Sequence, residues 1–288
     1  MEPYALRPPV PLALAKPVES IPPKAALPGG CVYEPKWDGF RTAVYTGGTG
    51  AVIYSRAGKD LTARFPDLAA AVDEQIPPGY VLDAEAVIWA QERLDFAALQ
   101  SRMSAGKKTL PAMVREAPAS LAVFDLLAVA GNDIRGLPLH IRRELLEELA
   151  ADWEPPLNLS PATSDPGVAE EWMRDLPAAG IEGLVIKGAG QAYRGGERQW
   201  LKVRHRNPVD VVCAAVLGSL RRPAVLVLGL PVDGKLRIVG RTVNLKRDAS
   251  LLAGRILQPA SPDHPWPAEI GPRILDRFTE SKDPVRLV

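Results

Sequence analysis

The spacing of apolar and polar positions changes period several times along this chain, and each change marks an element. Residues 31–36 and 40–45 alternate as strands, and Trp37-Asp38-Gly39 between them predicts a hairpin turn. Gly47-Gly48-Thr49-Gly50 makes the next turn, ahead of a strand at 51–55. Residues 65–75 take helical spacing, with Leu68, Ala71 and Val72 on one face. A strand at 80–89, a helix at 95–103 with Asp95 as its cap, and a strand at 121–129 follow. The clearest amphipathic helix is 139–151. Ile141, Leu145 and Leu149 share its apolar face, while Arg142, Arg143, Glu144, Glu147 and Glu148 cover the rest. A shorter helix at 168–176 stops at Pro177, and strands at 183–187 and 199–204 flank a glycine-bearing loop. The first thirty residues are proline-rich and without period, so they read as an extended lead-in.

The pattern shifts at Arg206-Asn207-Pro208. Beyond it come β-like segments at 209–217, 224–230 and 235–243, with one helical stretch at 249–256. The expected organisation is therefore two domains, 1–205 and 206–288, the second suited to a small antiparallel barrel. Composition agrees with a folded chain: 47% apolar and 24% charged positions exclude a mainly disordered chain, a collagen or a disulfide scaffold. Two cysteines, Cys31 and Cys213, cannot cage a metal and are expected to be reduced. The longest apolar stretches, 211–217 and 224–232, fall short of the roughly 20 residues a bilayer span needs. Residues 12–15 lack the basic leader and length of an export signal, so the cytoplasm is the expected compartment.

Net charge changes the picture only when it is resolved along the chain. The total is +1, yet residues 187–255 carry 14 Lys and Arg against 4 Asp and Glu, a local +10 set against −9 elsewhere. Such asymmetry suggests a surface facing a polyanion.

The candidate chemistry starts at Glu34-Pro35-Lys36-Trp37-Asp38-Gly39-Phe40-Arg41, where a lone Lys-x-Asp-Gly would be a weak signal. Further along come Tyr54-Ser55-Arg56-Ala57-Gly58, Leu82-Asp83-Ala84-Glu85, Val123-Phe124-Asp125, Glu182-Gly183-Leu184-Val185-Ile186-Lys187 and Trp200-Leu201-Lys202-Val203-Arg204. Two other candidates fail. The glycines at 188–196 are not followed by the Lys-Ser/Thr of a phosphate loop, and His140, His205 and His264 lack ligand spacing.

In this order the series resembles the lysine-nucleotidyltransferase superfamily of ATP-dependent DNA ligases, RNA ligases and mRNA capping enzymes. With the Leu14-Ala15-Lys16-Pro17 lead-in and the compact length, the chain looks most like the small C-type DNA ligases of actinobacteria. The resemblance implies an α+β fold: a nucleotidyltransferase (adenylation) domain of antiparallel sheets flanked by helices, then an OB-fold-like β-barrel. It implies ATP as cofactor, with Lys36 attacking the α-phosphorus to form a lysine–AMP adduct. An amine must be unprotonated to attack, and cationic neighbours with partial desolvation would favour that form.

By the same resemblance, Lys202 and Arg204 hold the α-phosphate, arginine replacing the family's usual lysine at 204. Glu182 binds Mg²⁺ or Mn²⁺. Glu34 contacts the exocyclic amine of adenine, Phe124 stacks on the base, and Glu85 accepts from the ribose hydroxyls. Arg41 and Arg56 grip ribose and phosphate, including the 5′-phosphate at a nick. Lys187 closes the metal motif and touches phosphate, and Asp38 orders the loop around Lys36.

The implied substrate is nicked double-stranded DNA, sealed in DNA repair by a monomer with possible repair-protein partners. An RNA ligase, or a GTP-using capping guanylyltransferase, is the alternative of the same kind. A non-catalytic nucleic-acid-binding module is the alternative of another class. Family members usually end in a basic motif that this chain, stopping at Pro284-Val285-Arg286-Leu287-Val288, does not show. A shortened form, weak in self-adenylation yet able to act on pre-adenylated nicks, is the expectation from that difference.

Overall fold

The computed structural model describes residues 4–205, 209–262, 265–266, 269–270 and 285–287. The chain divides into two compact units, Met1–Arg206 and Asn207–Val288. His264, most of the 205–208 junction and the ends of the 284–288 stretch lie outside the described residues.

The first unit runs β1 (Ala15–Pro17), β2 (Cys31–Pro35), β3 (Phe40–Tyr45), β4 (Val52–Ser55), α1 (Pro66–Gln75), β5 (Val81–Ala90) and β6 (Arg93–Leu94). It continues with α2 (Phe96–Ser104), α3 (Leu110–Glu116), β7 (Ala119–Val129), β8 (Asn132–Asp133), α4 (Leu139–Leu149), β9 (Leu157–Leu159), α5 (Pro166–Asp175), β10 (Gly183–Gly188) and β11 (Trp200–Arg204). Two sheets result. One has the order β1-β11-β10-β2; the other runs β4-β3-β5-β7-β8, with β6 added beside β5 and β9 beside β7. Pairing is antiparallel except for two short parallel contacts, β1 with β11 and β7 with β9. Sheets and helices together make an α+β fold.

The larger sheet is buried on both faces, which is why β7 is a nearly unbroken apolar run rather than an alternating one. On one face Leu82, Leu121 and Val123 pack with Leu68 and Val72 of α1, Leu99 of α2 and Leu146 of α4. On the other, Ala43, Tyr45 and Leu127 pack with Val10, Leu12, Tyr193 and Trp200. Asp95 caps α2, its side chain accepting from the Ala98 N–H at 2.8 Å.

Three local expectations fail for physical reasons. Trp37-Asp38-Gly39 does not close a hairpin: β2 pairs with β10 and β3 with β4 and β5, so this segment crosses between the two sheets. The buried face of α4 is Leu139, Arg142 and Leu146, with Leu145 and Leu149 only partly covered. Arg142, read as a surface residue, is buried because its guanidinium forks onto the buried Asp125 through Nε at 2.8 Å and Nη2 at 3.0 Å. The lead-in is not merely extended, since Ala15–Pro17 joins a sheet beside Trp200, Leu201 and Lys202.

The second unit contains β12 (Val212–Ser219), β13 (Arg222–Val232), β14 (Lys235–Arg241), α6 (Arg247–Ile256), β15 (Glu269–Ile270) and β16 (Val285–Leu287). They form one antiparallel sheet, ordered β14-β13-β12-β16-β15, with α6 packed on β13. β13 alternates buried and exposed positions, the signature of a sheet with one covered face. Among the described residues no helix is long and apolar enough to cross a membrane.

Candidate active site

The ladder between β2 and β10 continues one step past Pro35. The Lys36 N–H donates to Gly183 O at 2.8 Å, and the Glu182 N–H donates to Lys36 O at 3.0 Å. Lys36 and Glu182 therefore face each other across the ladder, and their side chains meet as an ion pair, Nζ to Oε2. Gly39 is required where the chain crosses to the second sheet, because an added Cβ would lie 2.3 Å from Ala86 O.

A cleft of about 520 Å³ opens here. All eleven residues given a role in the sequence line it: Glu34, Lys36, Asp38, Arg41, Arg56, Glu85, Phe124, Glu182, Lys187, Lys202 and Arg204. One end is strongly positive. Burial and the neighbouring charges of Arg204, Lys36, Arg198 and Arg56 lower the pKa of Lys202. Arg204 is more than half exposed and lies 3.6 Å from Glu182 Oε2 through Nη2. Burial works to raise the Glu182 pKa, but its bond to Lys36 and the charge of Arg204 hold it below the usual range. Asp38 is shifted upward by burial and by the Glu182 charge beside it.

The other end is nearly dry. Glu34 is 2% exposed, and Lys187 holds its Oε2 at 2.7 Å. Its Oε1 is buried and unpaired among the described residues. Burial pushes the Glu34 pKa up against the pull of Lys187. Phe124 lies at this end, its ring 5.5 Å from the Arg41 guanidinium and 4.7 Å from the Lys187 ammonium. Glu85 sits farther along the wall. Burial raises its pKa to about 8 despite the opposing charges of Arg41 and Lys36.

Two of these side chains already have partners within the protein. Lys187 is 1% exposed and bonded to Glu34 and to Phe124 O at 3.0 Å, which sets its ammonium at the dry end. Arg41 is likewise spent: Nε and Nη2 fork onto Asp83 at 2.9 and 2.6 Å, and Nη1 reaches Ala13 O at 2.5 Å. Tyr193 completes that cluster by donating to Asp83 Oδ2 at 2.6 Å. Arg41 thus clamps the cleft wall that it lines, because the nearest full negative charge in this low-dielectric wall is Asp83. Sequence reasoning missed Arg198, Trp37 and Trp200, all of which line the cleft. The same basic clustering that marked 187–255 could have found Arg198, which comes just before β11.

Residues 12–204 match the family described as the ATP dependent DNA ligase domain. The chain is 38% identical over 237 residues to DNA ligase C2 of Mycolicibacterium smegmatis, covering 81% of this chain and 65% of that protein. It is 33% identical over 276 residues to DNA ligase C of Mycobacterium tuberculosis, covering 90% of this chain and 74% of that protein. Among solved structures it is similar to the ligase domain of M. tuberculosis LigD, with a TM-score of 0.56 at 24% identity over 97% of this chain and 86% of that one. That likeness speaks for the fold, while the family model and the two relatives speak for descent. On those grounds, with Lys36 and its neighbouring cations gathered in one cleft, this chain belongs to the ATP-dependent DNA ligase family.

Proposed function

We propose that this chain seals nicks in duplex DNA at the expense of ATP, with Lys36 as the residue that carries the adenylate. The observation that supports the reading best is the opposition of Lys36 and Glu182 in a cleft whose same end collects Arg56, Arg198, Lys202 and Arg204. In the first step the Lys36 nitrogen forms a bond to the α-phosphorus of ATP, and the bond to pyrophosphate breaks. In the second, an oxygen of the nick's 5′-phosphate takes the adenylate from that nitrogen. In the third, the 3′-hydroxyl attacks the 5′-phosphorus and AMP leaves. Transfers of this kind depend mainly on alignment and on neutralising phosphate charge, which four clustered cations supply.

The dry end suits the base. Glu34 Oε1, buried without a partner, accepts from the exocyclic amine of adenine, and Phe124 with Val185 covers the ring. Glu85 meets the ribose hydroxyls. Held largely neutral near pH 7, its carboxyl both donates and accepts. For a divalent cation the protein offers two neighbouring carboxylates, Glu182 and Asp38. Among the described residues no cluster of three or more His, Cys, Asp or Glu side chains is set to hold one. Two carboxylates fit Mg²⁺ or Mn²⁺, whose remaining ligands come from phosphate and water, and such an ion supplies charge neutralisation at the phosphates.

We assign 1–205 to adenylation and 206–288 to an OB-type module that holds nucleic acid, an assignment supported by the antiparallel sheet of the second unit and the basic excess at 187–255. A cytoplasmic, monomeric role in repair follows from the family resemblance alone. Intact mass after incubation with ATP and Mg²⁺ tests the reading. The parent gains one adenylate and Lys36→Ala gains none; an adduct on Lys36→Ala, or preferential labelling by GTP, overturns it.

A further inference from the structure

The residue that follows the nucleophile takes no part in the reading above. Trp37 leaves the β2 ladder directly after Lys36, and its indole Nε1–H donates to Ser160 Oγ at 2.9 Å. Its ring meets Trp89 edge-on, centroids 6.3 Å apart, and packs among Val87, Leu94 and Ile181. Ser160 is itself fixed. It is 1% exposed, its N–H donates to Val123 O at 2.8 Å, and its carbonyl accepts from Arg143 Nη1 at 2.8 Å. Val123 immediately precedes Phe124 on β7, so a continuous chain of bonds runs from the wall of the dry end to the loop that carries the amine. Packing alone does not explain this arrangement. A phenyl ring fills an apolar niche without needing a partner, whereas an indole N–H there needs an acceptor, and a buried serine supplies it. Two ladder bonds hold the backbone of Lys36, but its side chain has four rotatable bonds. Its amine meets Glu182, and the course of the chain at residue 37 holds the backbone on the far side of the Lys36 Cα.

We infer that Trp37 is a positioning residue: through Ser160 it fixes the loop so that the Lys36 amine meets the α-phosphorus in line with the leaving pyrophosphate. The inference rests on the reading that Lys36 carries the adenylate. It is tested by comparing, on the full chain, self-adenylation from ATP with sealing of a nick that already bears a 5′-adenylate, a reaction that does not use the amine. Trp37→Phe keeps a ring and loses the donor, Ser160→Ala loses the acceptor, and the double variant loses both. Each single variant lowers the maximal rate of self-adenylation about tenfold, in line with the steep cost of misaligned reactants. KM for ATP stays unchanged, the double variant is no slower than either single one, and the pre-adenylated nick is sealed at the parental rate. Unchanged self-adenylation, an effect confined to KM, or a parallel loss of sealing on the pre-adenylated nick overturns the inference, the last being what general loosening of the fold produces. Lys36→Ala runs alongside. If it still accepts AMP, the nucleophile assignment fails, whatever Trp37 does.

Discussion

The Glu85 side chain makes no hydrogen bond among the described residues, although it lines the cleft between charged neighbours. An unfolded glutamate titrates near 4.5, and the folded one holds its proton to about 8. The folded state thus binds more protons across that interval, and the stability tied to this group is full below about pH 4.5 and lost as pH rises through 8. Glu85→Gln removes the titration. Thermal melts should show the variant gaining on the parent as pH goes from 5 to 8.5, by about 2–4 °C for each kcal/mol recovered in a chain of this size. A pH-independent difference in Tm would show that the side chain does not titrate as described. Arg41 was legible as a cleft residue but not as a clamp, because its acceptor Asp83 lies 42 positions away and nothing in the local pattern links them.

Elements formed by local signals were readable; elements that depend on distant partners were not. The Asp95 cap, the apolar run of β7 and the alternation of β13 all appear in the amino-acid order. The false hairpin shows the opposite case. An Asp-Gly turn is a local signal, yet the partner of β2 is β10, whose register sets Glu34 opposite Val185. Arg142 shows it again, since a helical wheel places arginine outside unless Asp125 is known to wait beneath it. This pair joins α4 to β7, and Arg142 Nη1 also holds the carbonyls of Leu137 and Gln191. Arg142→Ala leaves Asp125 buried and uncompensated, and urea unfolding should register a loss of about 3–5 kcal/mol. A loss below about 1 kcal/mol would mean that water reaches Asp125, contrary to its burial.

For the molecule as a whole, charge placement is the quantity that matters. If the proposed function holds, the basic excess at 187–255 and the four cations of the cleft meet phosphate, so affinity for nicked duplex should fall steeply with salt, as released counterions demand. Arg198→Ala removes one cation from the cleft and should lower the log–log salt slope by about 1, with little change in preference among DNA sequences. An unchanged slope would place Arg198 off the phosphate path.

The pairing of Ala15–Pro17 with Trp200–Lys202 has a practical side. Val18 N–H extends it by donating to Lys202 O at 3.0 Å, so the strand bearing this cleft lysine is flanked on one edge by a proline-rich ribbon from near the amino terminus. Trimming the chain to residue 20 in order to obtain a tidier expression product would bare that edge. It would also strip Val10, Leu12 and Ala13 from the core on that side of the larger sheet, so the trimmed protein should fold poorly as well as lose the edge.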